Sequence, residues 1–269
     1  MITQIESPAN NRLKSIRKLH NRKSREESDL FFVEGIRIIA DALEHGNSVQ
    51  QVLCCRELLN SDFATDLVTQ ALAKNIEVVE LSEAAFNSIA VKDNPQGIAA
   101  VARRSYLSME DISVEQNDCW VVLDSIRDPG NVGTILRTLD GVNGTGIILL
   151  DDCVDAYDPT AVRASMGAVF SRKIVRTTFE NFSQWWNTQT YSLIGTSDHA
   201  ARHHYRSFVY PTPTFLLMGS EREGLPETHT SLCSDLVSIP MLGSCDSLNL
   251  AIATGIILYE VLHQRMGGV

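Results

Sequence analysis

The stretch IPMLGSCDSLNLAIATGIILYE, Ile239 to Glu260, is the one around which the chain is organised. Pro240 lacks a donor N–H and Gly243 permits unusual dihedrals, so a strand ending at Ile239 must break there. A helix is expected to open near Ser247, a residue type able to cap the free N–H groups of a first turn. Leu248, Leu250, Ala251, Ile252, Ala253, Ile256, Ile257, Tyr259, Val261 and Leu262 then make it apolar around most of its circumference. A helix with one wet face shows a narrower stripe, so this one is expected to be buried on two sides, against its own domain and against a partner. Asn249 lies polar inside the run, and a buried amide needs hydrogen-bond partners. A turn with free backbone donors, a polar opening and a doubly buried helix together suit a ligand site beside an interface.

Upstream of that stretch the pattern alternates between strand and helix. Trp120–Leu123 reads as an apolar strand, the loop SIRDPGN leads into a helix from about Val132, and Ile147–Leu150 is the next strand. A helix is expected from Pro159 to Phe170, followed by strands at Lys173–Arg176, Tyr191–Gly195, Phe215–Met218 and Leu236–Ile239. Continuous apolar strands joined by helices imply a parallel sheet covered on both faces. In such sheets ligands bind beyond the carboxyl ends of the strands, where DPGN, MGSEREGL and IPMLGSCDS all fall. The first hundred residues alternate in the same way, from a basic helix over 8–23 to a closing strand at Gly97–Arg103. The expected organisation is an α/β domain over 1–104, a polar linker over 105–118 and a second α/β domain over 119–269.

Composition narrows the class of protein. A chain of 269 residues with 44% hydrophobic and 21% charged residues is ordinary for a soluble globular protein. No apolar run reaches membrane-spanning length, and the polar start MITQIESPANNR does not read as a signal peptide, so a cytoplasmic protein is expected. Six cysteines lie scattered without CxxC or Cys/His spacing and read as reduced packing residues, with no metal site suggested. The formal charge of −10 argues mildly against nucleic acid, yet the charge is unevenly spread. Arg12, Lys14, Arg17, Lys18, Arg22, Lys23 and Arg25 follow one another with no carboxylate between them. That run is either a solvated helix face or an arm that contacts phosphates, and in an acidic chain the second is expected. GVNGTG at 141–146 precedes a strand instead of following one, so it is no dinucleotide fingerprint. His203-His204 reads as a surface pair.

Three motifs in order, NVGTILRT (131–138), MGSEREGL (218–225) and IPMLGSCDSLNLAIA (239–253), resemble those of the SpoU-type, TrmH-like RNA ribose 2′-O-methyltransferases of the SPOUT superfamily. VRASMGAVF (162–170) fits the same pattern, and FVEGIRII (32–39) with NPQGIAAV (94–101) resembles the substrate-binding N-terminal extension of that family. Leu139 and Asn143 depart from it at peripheral positions. The resemblance implies a C-terminal domain with a deep trefoil knot that binds S-adenosylmethionine, a homodimer with the active site near the subunit interface, and no metal. It also implies an RNA-binding N-terminal domain like those of ribosomal proteins, with large-subunit 23S rRNA as substrate and tRNA as the alternative.

Residue roles follow from the same likeness. Gly219, Glu221, Ile239, Met241, Ser247, Leu248 and Asn249 are the expected cofactor contacts, and Arg137, Asn131, Glu221, Ser247 and Asn249 the catalytic set. The family's matching arginine activates the ribose hydroxyl, but a guanidinium with a pKa above about 12 does not readily release its proton. Arg137 is therefore expected to orient the target phosphate and stabilise the developing alkoxide; the alternative is a surface arginine paired with Asp140. Ser247 either caps its helix or touches the ligand as well. Arg12, Lys14, Arg17, Lys18, Arg22 and Lys23 are the expected RNA contacts. Two rivals stand beside this reading. A small-molecule α/β enzyme calls for a glycine-rich strand-to-helix turn, which is missing. An idle RNA-binding or assembly protein predicts decay at the catalytic positions, yet all five are present.

Overall fold

A computed structural model describes residues 2–45, 48–197, 202–220 and 223–267. The chain opens with a short strand, β1 (Ile2–Ile5), that the polar start did not announce. The expected basic helix over 8–23 is two helices, α1 (Asn11–Lys18) and α2 (Arg22–Ser28), because Asn10 and Asn21 each cap a new first turn. There follow β2 (Leu30–Glu34), α3 (Ile36–His45), β3 (Val49–Cys54), α4 (Asp62–Ala73), β4 (Glu77–Leu81), α5 (Glu83–Asn87) and β5 (Ile98–Arg103).

The chain continues through β6 (Cys119–Asp124), α6 (Pro129–Gly141), β7 (Gly146–Leu150), α7 (Pro159–Ser165) and α8 (Ala168–Ser171). The single helix expected over 159–170 breaks because Met166 is left-handed at φ 51° and Gly167 has φ 103°. It closes with β8 (Lys173–Thr177), α9 (Phe179–Trp186), β9 (Leu193–Thr196), β10 (His203–His204), β11 (Thr214–Met218), α10 (Glu227–Thr230), β12 (Asp235–Ser238) and α11 (Leu250–Arg265).

Two compact units result. The first takes in residues up to Ser105 together with Tyr157–Ser171, so α7 and α8 pack with the N-terminal unit although their sequence lies amid the second. Its sheet runs β1-β4-β3-β5-β2, with β1, β3 and β4 parallel and β5 antiparallel to both neighbours. The reason for the returning segment is apolar: the Phe31 ring lies 4.6 Å from that of Tyr157 and 5.7 Å from that of Phe170.

The second unit comprises Tyr106–Ala156 and Arg172–Val269. The stretch expected as a linker packs onto it: Leu107 bridges to Val175, and Met109, Ile112 and Val114 join the core around Trp120, Phe182 and Phe215. A seven-stranded sheet runs β10-β12-β9-β11-β6-β7-β8, and every pairing in it is parallel. The strands β6, β7 and β11 are buried at every residue, as expected when helices cover both faces. From β6 the sheet extends to β7 and β8 on one side and to β11, β9, β12 and β10 on the other. Its carboxyl edge is the kind of place where open α/β sheets bind ligands.

Candidate active site

The three loops read from the sequence lie at that edge. A cavity of about 650 Å³ opens beyond β9, β11 and β12, and the start of α11 closes one side. Gly219, Ile239, Met241, Ser247 and Leu248, five of the expected cofactor contacts, all line it. Sequence reasoning missed Thr196, Ser197, Glu223 and Asp246, which line it too. Thr196 and Ser197 belong there because β9 sits between β11 and β12, an order that no local motif encodes.

Glycine is needed at 219 for space. A Cβ there would overlap the carbonyl of Gly224, because the turn folds back on itself with Ser220 and Gly224 exchanging backbone bonds of 3.2 and 3.1 Å. Gly224 itself has φ 66°, a conformation costly to other residues. The closed turn forms part of the cavity wall, and Glu223 and Asp246 also lie on the lining. Glu221 lies outside the described residues.

The helix expected to start near Ser247 starts at Leu250, and Asn249 is its cap. Asn249 Oδ1 accepts from the N–H groups of Ala251 (2.9 Å) and Ile252 (3.3 Å). Its Nδ2 donates to Oδ1 of Asn131 at 3.0 Å. The amide wins the cap over Ser247 because one side chain then satisfies two helix donors and a buried acceptor at once. Asn249 is not among the residues that line the cavity; it ties the start of α11 to α6. Ser247 is left exposed on the cavity side.

Arg137 stands on the exposed face of α6 and has no hydrogen bond or ion pair among the described residues. The surface pair with Asp140 does not form: Asp140 Oδ1 meets Arg172 Nε at 3.1 Å instead. A solvated, unpaired guanidinium on the helix that carries Asn131 is free to engage a phosphate.

The basic arm is less free than its sequence implied. Arg12 forks onto Glu77 and Gln51, Arg22 pairs with Glu26 at 2.8 Å, and Lys23 approaches Glu27 at 3.8 Å. Arg17 donates to Ser88 and to the Pro8 carbonyl. Arg25 is buried, donating to the carbonyls of Leu19 and His20 and to Asp158. Of the expected contacts, Lys14, Arg17 and Lys18 lack a carboxylate partner among the described residues, and of these Arg17 is held by Ser88 and the Pro8 carbonyl. The carboxylates come from β4 and from the next helical turn, so reading the run alone could not find them.

Burial pushes the Cys119 and Cys153 thiols up to about 11 and Cys233 up to about 12, so all three stay protonated at neutral pH.

These features define a class: a two-unit α/β protein whose parallel sheet carries a ligand cavity at its carboxyl edge, walled by a glycine turn and an amide-capped last helix. The chain belongs to the SpoU rRNA methylase family, whose model matches residues 118–259. Residues 10–100 match the MRM3-like substrate binding domain. A 23S rRNA (uridine(2479)-2′-O)-methyltransferase of Streptomyces viridochromogenes is 33% identical over 261 residues, covering 93% of this chain and 88% of the relative. The 23S rRNA (guanosine(2553)-2′-O)-methyltransferase RlmP of Bacillus subtilis is 27% identical, covering 96% of this chain and 98% of the relative. Among solved structures, the AdoMet-bound rRNA methyltransferase of Sinorhizobium meliloti superposes with a TM-score of 0.89 at 33% identity, covering 98% of each chain.

Proposed function

We propose that this protein transfers a methyl group from S-adenosylmethionine to a ribose 2′-hydroxyl of 23S rRNA. The observation that carries the reading is the convergence of Gly219, Ile239, Met241, Ser247 and Leu248 on one cavity. Its volume of about 650 Å³ falls in the range of small-molecule sites. The fit extends to chemistry. The backbone of the Gly219 turn lines the cavity and can meet an adenine edge, and Glu223 and Asp246 suit a ligand with cationic groups.

When bound, the cofactor supplies an electrophilic methyl carbon. The protein's own residues then hold the two reactants in line and help one proton leave. Arg137 keeps its proton, orients the target phosphate and stabilises the developing alkoxide. Asn131 and Asn249 hold the start of α11 against α6, Ser247 faces the ligand, and Glu221 orients Arg137 or the ribose. Substrate choice rests on the N-terminal unit, with Lys14 and Lys18 as the arm's phosphate contacts. Arg12, Arg17, Arg22 and Lys23 contribute mainly to folding.

We further infer a homodimer, a trefoil-knotted second unit and a cytoplasmic location. Ile252 and Tyr259 on α11 are 56% and 55% exposed in the single chain, an apolar face that a second copy would cover. No helix among the described residues is long and apolar enough to cross a membrane.

The test is methyl transfer from labelled S-adenosylmethionine to 23S rRNA, followed by mapping of 2′-O-methylated positions. One new methylated position is expected. Tight cofactor binding with transfer to tRNA alone would redirect the substrate, and no cofactor binding by calorimetry would end the reading.

A further inference from the structure

Outside the cofactor cavity, three chain segments meet at the same carboxyl edge of the second sheet. Asp124 ends β6, Asp151 follows β7 and His229 lies on α10. Their carboxylate and imidazole ligand atoms all lie within 4.8 Å of one another, with Asp124 buried, His229 largely buried at 12% side-chain exposure and Asp151 exposed.

The imidazole is the telling member. Its Nε2 is closed off from solvent and has no hydrogen-bond partner among the described residues. It stands 3.9 Å from Oδ2 of Asp124, too far for a hydrogen bond. Such a buried nitrogen calls for something between itself and the carboxylate. The remaining atoms are already held. Nδ1 of His229 lies 3.3 Å from the Thr228 hydroxyl, Ser125 Oγ donates to Asp124 Oδ1 at 2.9 Å, and the Phe179 N–H donates to Asp151 Oδ1 at 3.0 Å. The Phe179 ring packs on the imidazole with centroids 3.5 Å apart. This is the pattern of outer partners that orient metal ligands: in the tautomer whose Nδ1–H is donated to the Thr228 hydroxyl, Nε2 presents a bare electron pair.

We propose that Asp124, Asp151 and His229 form a binding site for a first-row divalent cation such as Mn²⁺ or Zn²⁺. Such ions bind imidazole nitrogen and carboxylate oxygen at about 2.0–2.2 Å, so two ligands of one ion stand up to about 4.2 Å apart. The 3.9 Å between Nε2 and Oδ2 is within about half an ångström of the separation that a tetrahedral ion needs, so a small side-chain shift closes it, and the exposed Asp151 closes its own gap by a swing. One imidazole with two carboxylates favours Mn²⁺ or Zn²⁺ over soft ions that prefer thiolates. Three protein ligands leave open positions for water or a phosphate oxygen.

The place gives the ion a use. Leu123, just before Asp124, pairs with Met218, which lines the cavity. A cation there would set positive charge beside the cavity in a chain whose formal charge is −10. That use rests on the methyltransferase reading; the binding itself does not.

The test uses the full chain, stripped with chelator, desalted and titrated with Mn²⁺ alone while the paramagnetic resonance signal of free Mn²⁺ is recorded. Binding near one equivalent is expected, displaced by Zn²⁺ and weakened at least about tenfold in both Asp151→Asn and His229→Gln. Asp151 is exposed, so its variant keeps the fold if the histidine variant does not. No binding of either ion at millimolar concentration overturns the site and indicates a water or a proton between the groups. Binding that both variants retain overturns it as well. Because the readout is metal alone, its failure is separate from failure of methyl transfer, and S-adenosylmethionine calorimetry on the same samples scores that reading.

Discussion

Asn249 shows how much one side chain can hold. Its oxygen serves two helix donors and its nitrogen serves Asn131. Asn249→Ala is therefore expected to cost about 1–2 kcal/mol of stability in urea unfolding, the range of a lost cap. Asn249→Ser restores a capping oxygen but not the bridge to Asn131, so it should recover most of the stability while methyl transfer stays low. Arg137 is the opposite case, exposed and unpaired among the described residues. Arg137→Ala should leave the urea midpoint unchanged and lower kcat about 10²–10³-fold, the usual loss when a donor aimed at developing charge is removed. Near-normal turnover by a folded Arg137→Ala protein would remove it from the mechanism. His20 carries a pH signature. Burial, then Arg25 and Arg17, lower its pKa below the ordinary histidine value of 6.5, and its Nε2 has no partner among the described residues. A group with a depressed folded pKa binds fewer protons folded than unfolded, so stability is full above pH 6.5 and falls as pH drops towards the folded value. His20→Phe, which keeps the ring against Phe32, should flatten the decline in urea midpoint between about pH 7 and pH 5.

At the scale of elements, the departures from sequence periodicity have local causes. The run from Pro159 to Phe170 has helical composition throughout, yet it folds as two short helices hinged at Met166 and Gly167. A Cβ at Gly167 would land on the Asp41 carboxylate of α3. Gly167→Ala should therefore destabilise the first unit by about 1–3 kcal/mol, the cost of a strained backbone, read as a lower urea midpoint with cofactor affinity unchanged. The basic run divides at Asn21 for a similar reason: a side-chain acceptor satisfies the donors of a new helix better than the old helix would. The last helix was legible from composition, since apolar residues surround it, but its first residue was not. Ser247 and Asn249 are both good capping types, and only the presence of Asn131 across the gap separates them.

At the scale of the whole molecule, the apolar face of α11 asks for a second copy. Replacing Ile252 and Tyr259 together by charged residues should shift the sedimentation coefficient from dimer to monomer, because two half-exposed apolar side chains would no longer gain from burial. A wild-type chain that sediments as a monomer at micromolar concentration would contradict the dimer. What this sequence determined by itself is local and chemical. Apolar strands alternate with helices, glycine turns fall at strand ends, and motifs in order mark an RNA methylase family, because short-range periodicity and residue chemistry leave a record in contiguous residues. What only the tertiary structure decided is which distant residues share a space. β9 inserts between β11 and β12 to bring Thr196 to the cavity, carboxylates from β4 and the next helical turn neutralise much of the basic arm, and residues 157–171 leave their neighbours to pack with the first unit. Asp124, Asp151 and His229, at three separate strand and helix ends, belong to the same kind of fact. Strand order and long-range pairing are set by summed packing over the whole chain, and no single stretch of sequence carries that sum.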